Sequence, residues 1–143
     1  MIARPVTKQP LQDIRVNVKV KLASLWASLM LLYIYVDYFH LYMPDALESM
    51  IAGKIAAFDI NQLFLLAALV SMAVPALMIY LSIALPAKLS RRTNLVVAAV
   101  YIPYTLSNLI GVAWVHMMFG AAAEVALLLL VVRCAWKWPR TET

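Results

Sequence analysis

Four apolar stretches of about 20 residues each decide what this chain can fold into, because a helix rising 1.5 Å per residue crosses the ~30 Å hydrocarbon layer in about that length. They run over residues 22–43, 62–85, 93–114 and 117–138. The chain has 143 residues, 65% of them hydrophobic and only 13% charged, and its mean hydropathy is +0.85. Water-soluble domains run at roughly 45–50% apolar and ~25% charged, so a soluble globule is excluded. An unpaired backbone amide or carbonyl is very unfavourable in hydrocarbon, and four segments are too few to close a strand barrel, so all four should be helices. The second and third connections are short and force antiparallel neighbours. The sequence therefore predicts an all-α protein, a transmembrane four-helix bundle in up-down-up-down order. Its parts are a basic N-terminal segment 1–21, a membrane domain 22–138 and a tail 139–143.

Orientation follows from the basic residues. Arg4, Lys8, Arg15, Lys19 and Lys21 precede the first span, Lys88, Arg91 and Arg92 lie in the second connection, and Arg133, Lys137 and Arg140 close the chain. The first connection sets Lys54 against Asp45, Glu48 and Asp59, and the third has no lysine or arginine. Both termini are thus expected on the cytoplasmic side, in a bacterial inner membrane. Trp26, Tyr42, Trp114, Trp136 and Trp138 lie near the proposed span ends, where amphipathic rings settle at headgroup depth. The first span is longer than the apolar core of a signal peptide and is read as an uncleaved anchor.

Two local patterns lie outside the spans. Ile14 to Lys21 alternates apolar and polar, a strand period, and is read either as an extended surface segment or as a solvated basic flank. Pro44-Asp45 followed by Glu48 suggests a short outer surface helix over about 45–52, with Asp45 as its cap, ending at Gly53.

A net charge of +5 does not signal nucleic acid here, since flanking basic charge is what insertion already requires. The single cysteine, Cys134, excludes a disulfide framework or a thiolate metal cluster. No motif positions a serine, histidine and acid set, so no catalytic role is expected. A bis-histidine haem site would need His40 and His116, and His116 falls in the outer connection instead of a span; no cofactor is expected.

Ionisable groups within a span are unfavourable at ~2.5–3.5 kcal/mol or more, which makes them the first places to look for function. Asp37 lies six residues before Met43, and Glu124 lies seven past Met117. Both therefore sit roughly 9–11 Å below the outer boundary, and Asn108, six residues before Trp114, shares that depth. Helical spacing groups Trp26, Met30, Tyr33, Asp37 and His40 on one stripe, and Tyr101, Tyr104, Asn108 and Gly111 on another. Ala67, Ser71, Pro75, Met78 and Ser82 form a small, mildly polar stripe on the second span. With these faces inward, Tyr33, Asp37, His40, Tyr104, Asn108 and Glu124 line an outer-leaflet pocket. Two readings compete for it: a site for a small ligand, a lipid headgroup or a proton, and interhelical hydrogen bonding that only fixes which helices meet. Pro75 and Pro103, near mid-span, each free a carbonyl and permit a kink.

Taken together, Val18-Lys19-Val20-Lys21-Leu22 running into Leu25-Trp26, the Asp37 stripe ending at Met43-Pro44, and the Pro75 helix form part of a recognisable pattern. Arg92-Thr93-Asn94, and Ala123-Glu124 followed by Ala135-Trp136-Lys137-Trp138-Pro139, complete it. This pattern resembles a family of small bacterial four-span proteins of unknown function. The resemblance implies an acidic residue ahead of the span-two proline, where this chain has Ala73. It supports four spans and implies no activity. At the level of architecture alone, the chain is also similar to DoxX-like four-span proteins and, more weakly, to small multidrug exporters.

The leading expectation is a non-enzymatic membrane protein with a ligand-binding outer pocket, embedded in the lipid bilayer. The alternatives are a structural subunit, docking a second copy or a partner membrane protein through Ala122 and Ala126, and a small proton-coupled transporter.

Overall fold

The computed structural model of the chain describes residues 14–55, 58–111 and 114–139. Arg4, Lys8, Arg140 and most of the expected basic N-terminal segment and C-terminal tail lie outside the described residues. Five helices follow in order: α1 Val18–His40, α2 Ala46–Ile51, α3 Gln62–Ala84, α4 Ala87–Ser107 and α5 Val115–Trp136. A two-residue hairpin, β1 Lys54–Ile55 with β2 Phe58–Asp59, stands between α2 and α3, with Lys54 opposite Asp59. The protein is all-α apart from that hairpin. Three helices, α1, α3 and α5, are long and apolar enough to cross a membrane.

Helix starts are set by side-chain caps. The Asn17 carboxamide accepts from the Lys19 amide at 2.9 Å, and Asn61 accepts from the Phe64 amide at 2.8 Å, each occupying a donor that the first turn leaves free. The alternation over Ile14–Lys21 thus makes no strand, because α1 already begins at Val18. Lys19, expected to serve only as flanking charge, reaches across to the end of α3, donating to the Leu85 carbonyl at 2.6 Å and the Ile83 carbonyl at 3.0 Å. A cation there satisfies the orphan carbonyls and the negative end of the helix dipole.

Other boundaries depart from expectation. α4 starts at Ala87, directly after Pro86, so the segment read as a connection through Arg92 is helical and only Leu85 and Pro86 link α3 to α4. α4 also ends earlier, at Ser107. Asn108, Leu109 and Ile110 donate three residues back, to Thr105, Leu106 and Ser107, a tightening typical of helix ends, and Gly111 follows at φ 85°. Gly111 therefore lies off the α4 stripe. The short helix expected in the first connection forms as α2, but Asp45 does not cap it through its side chain; Asp45 takes a left-handed φ of 63° and makes no side-chain cap bond.

The four long helices pack in the cyclic order α1, α3, α4, α5. Their directions alternate: the start of α1 meets the end of α3 through Lys19, and the start of α4 meets the end of α5, where Arg91 donates to the Ala135 carbonyl at 3.1 Å. Across the diagonal, α1 and α4 run parallel, joined by Trp26 to Asn94 near their starts and Tyr33 to Thr105 near their ends. The buried positions include Leu22, Trp26, Leu29 and Tyr33 on α1, Ala98, Tyr101 and Thr105 on α4, and Leu128, Val131 and Ala135 on α5. Their alternating three- and four-residue steps are those of left-handed helix packing. Large apolar side chains such as Leu31, Leu66, Leu69, Val96 and Leu129 point outward, a surface that lipid accepts and water does not.

Trp26 is corrected by this packing. It is fully buried inside the bundle and so does not face the headgroups as an anchoring ring would. Its indole N–H donates to the Asn94 side-chain oxygen at 2.7 Å, which also accepts from the Ser82 hydroxyl at 3.1 Å. The Asn94 amide donates to the Ser90 carbonyl at 2.8 Å, and the Ser90 hydroxyl to the Ser82 carbonyl at 2.9 Å. Four buried polar groups on three helices thus satisfy one another.

Pro75 leaves the Ser71 carbonyl without its helical donor, and the Tyr101 hydroxyl of α4 donates to that oxygen. The helix continues through the proline, and its defect becomes an interhelical bond. Tyr101→Phe is expected to destabilise the folded protein by about 1–2 kcal/mol, by orphaning a carbonyl in a low-dielectric interior. In a Pro75→Ala background, where the helix supplies its own donor, the same substitution is expected to be nearly neutral. Thermal unfolding in detergent of the two single variants and the double variant measures the difference.

A cavity between the long helices as the candidate functional site

The end of the molecule opposite Lys19, Arg91 and Arg133 holds a cavity of about 710 Å³. Tyr33, Asp37, His40, Tyr104, Asn108 and Glu124, the six residues singled out by depth and spacing, all line it. α1 contributes Tyr33, Asp37 and His40 from one stripe, and α5 contributes Ala121 and Glu124. Tyr104 and Thr105 come from the last turn of α4, and Asn108 from the turn beyond it. Phe64, Ala68 and Ser71 come from α3, and Met50 of α2 with Ile55 of β1 reach it from the first connection. The volume is that of a site for a small organic molecule.

Gly120 sets how closely α1 and α5 approach. A Cβ there would meet the Val36 methyl Cγ2 at 2.6 Å, closer than carbon atoms come without contact being relieved. This close approach brings the Asp37 turn of α1 beside the Glu124 turn of α5, and the two carboxyls are near enough to interact through space. Their settings differ. Glu124 is 4% exposed, whereas Asp37 is open to the cavity.

The hydrogen bonds in the cavity wall run elsewhere. Tyr33 and Thr105 pair through their hydroxyls at 3.0 Å, and Ser71 and Tyr104 at 3.3 Å. Among the described residues no hydrogen bond or ion pair reaches the carboxyl of Asp37 or of Glu124. His40, one turn from Asp37, is within electrostatic reach of it but is not hydrogen-bonded to it. The carboxyls therefore do not serve as hydrogen bonds between helices; that task falls to Trp26, Asn94, Ser82, Tyr33, Thr105 and Tyr101, of which Asn94 and Thr105 were missed as interior groups. The signal for them was present: Ser90, Asn94, Ala98, Tyr101 and Thr105 recur at three- and four-residue steps, and small and polar residues mark the inner face of a helix whose outer face is apolar.

Of the two histidines weighed as a haem pair, His40 lines the cavity and His116 does not. His116 stands in the first turn of α5, beside Trp114 at 6.1 Å between ring centres. Among the described residues no group of three or more histidine, cysteine, aspartate or glutamate side chains comes together as a metal site would need. Ala122 and Ala126 face outward on α5, away from the neighbours of that helix.

An all-α protein with three helices able to cross a bilayer and an acidic cavity between them is the class that fold and site define. Residues 12–143 match the sequence profile of DUF6326, a family of unknown function, and the chain belongs to that family. No curated protein and no solved structure matches the chain.

Proposed function

We propose that the protein is a non-enzymatic four-span inner-membrane protein, a four-helix bundle with both termini cytoplasmic, whose outer cavity binds a small ligand. The four spans rest on helix direction. α3 and α5 are both apolar enough to cross, and both run opposite to α1 and α4. The chain must therefore return across the membrane between them, and only α4 lies there. Its 21 residues give about 32 Å at 1.5 Å per residue, with Lys88, Arg91 and Arg92 in the first six at the layer's boundary, where long basic side chains reach the headgroups. Lys19, Lys21, Lys88, Arg91, Arg92, Arg133 and Lys137 all fall at one end of this arrangement, which makes that end cytoplasmic and directs the cavity outward.

One observation carries the binding reading: Glu124, 4% exposed as a residue and with no hydrogen-bond partner to its carboxyl among the described residues, lines a cavity with room for a ligand. A group of this kind is unfavourable in lipid unless something partners it. Native mass spectrometry of the wild-type protein and of Glu124→Gln, both released gently from their own membrane, tests this. The wild type is expected to retain a defined non-protein mass that the variant loses. Bare protein in both would remove the binding role and favour the structural reading, in which the outward-facing Ala122 and Ala126 dock another helix.

A further inference from the structure

We infer that the cavity selects an organic cation, an ammonium group carried on an apolar body; this rests on the binding reading above and names its ligand class. The acidic groups facing the cavity are Asp37 and Glu124, and the one basic group among its described lining residues is the His40 ring; among the described residues no lysine or arginine lines it. The described lysines and arginines lie at the opposite end of the helices, apart from Lys54, which stands on β1 opposite Asp59 and does not line the cavity. Glu124 is 4% exposed and has no partner among the described residues, so a cation inside the cavity supplies the counter-charge that the fold withholds. An anion would meet two carboxyls in low dielectric.

The rest of the wall decides between kinds of cation. Aromatic rings of Tyr33, Tyr38, Phe64 and Tyr104 border the same space, and ring faces attract ammonium groups. The other walls are largely apolar, among them Ile34, Leu65, Met72 and Met117. A hydrated metal ion would need several oxygen ligands at ~2.0–2.6 Å to replace its water, and two carboxyls within a predominantly apolar wall fall short of that. An ammonium with an apolar substituent uses both features: its charge faces the carboxyls and its body fills the space between Leu65 and Met117.

The test uses the full chain in lipid nanodiscs, with tritiated benzyltrimethylammonium as the probe. Its charge is fixed at every pH. The comparison ligand is neopentylbenzene, the same shape with carbon in place of nitrogen, assayed by its displacement of the labelled cation; empty nanodiscs give the background. The cation is expected to bind at least about tenfold more tightly than the neutral isostere, and to weaken by a similar factor in both Glu124→Gln and Asp37→Asn. Either variant suffices if the other fails to fold, as judged by its unfolding temperature. Ala68→Phe, which adds bulk from the α3 wall without touching charge, is expected to weaken both ligands. Equal affinity for the two ligands, with Ala68→Phe weakening both and the carboxyl variants weakening neither, would overturn the cation assignment and leave a ligand-binding cavity standing. No binding of either ligand to the wild type, or binding indifferent to Ala68→Phe, would overturn the cation assignment and count against the cavity as a site.

Discussion

Asn94→Leu is expected to lower the unfolding free energy by about 2–4 kcal/mol, one of the two largest effects of any single substitution considered for this protein. Leucine keeps the branching and heavy-atom count of asparagine and leaves no void, so the loss comes from hydrogen bonding, with some crowding from its bulkier methyl groups. The Trp26 indole N–H, bonded to Asn94 at 2.7 Å in a fully buried position, has no alternative acceptor on its own helix. The Ser82 hydroxyl, which donates to the same oxygen at 3.1 Å, can rotate back to a carbonyl one turn earlier and recover part of its bond. Most of the penalty therefore belongs to Trp26. A double-mutant cycle with Trp26→Phe isolates it: removing the orphaned donor should return about 1–2 kcal/mol. That lies at the upper end of coupling energies for hydrogen bonds between membrane helices, which average only ~0.6 kcal/mol. Unfolding in mixed micelles for the four members of the cycle measures this. A coupling indistinguishable from zero would mean that Trp26 finds another partner and that the network does not hold α1 to α4.

Gly120→Leu is expected to be comparably disruptive, and for the opposite physical reason. Here nothing polar is lost and too much volume is gained. The Cβ alone would stand 2.6 Å from Val36 Cγ2, and Val36 is β-branched, so its methyl groups cannot swing aside through a free rotamer change. Relief requires α1 and α5 to separate, with an overpacking penalty of about 1–3 kcal/mol. The separation would also spread the wall that carries Asp37 and Glu124, so ligand retention should fall along with stability. Val36→Ala in the same chain removes the obstructing methyls and is expected to recover most of both. Unfolding temperature and ligand retention measured on Gly120→Leu alone and with Val36→Ala separate the two effects. Recovery of stability without recovery of retention would show that the cavity depends on Gly120 by another route.

The two carboxyls show how far depth arithmetic reaches. Counting from span ends placed Asp37, Glu124 and Asn108 at one level, and three-and-four spacing added Tyr33, His40 and Tyr104; all six line one cavity. Counting could not show that Glu124 is closed in at 4% exposure while Asp37 stays open to the cavity, since that depends on which neighbours cover each group. Nor could it separate cavity groups from structural ones. Trp26 was read both as an interface anchor near a span end and as a member of the inward stripe; it takes the inward place, and its partner there, the Asn94 carboxamide 68 positions away, is something no pattern in α1 announces.

Helix ends divide in the same manner. The start of α3 at Gln62 was legible because Asn61 caps it by a local bond. The start of α4 was not, because Lys88, Arg91 and Arg92 made Ala87 to Arg92 look like a loop. Arg91 in fact packs its guanidinium on the end of α5, and the contact keeps that basic stretch helical.

By itself the amino-acid sequence determined the all-α class, the apolar lengths of α1, α3 and α5, the gathering of most basic charge at one end and the shared level of Asp37 and Glu124 along the helices. Each of these is a property of composition or of position along the chain. Only the tertiary structure decided which faces turn inward, which polar groups pair, and which are left facing an open cavity. In a lipid-facing helix both sides are apolar, so hydrophobic periodicity no longer separates inside from outside; that choice passes to small residues such as Gly120 and to hydrogen-bonded side chains such as Asn94, and their effect exists only once a second helix is in contact.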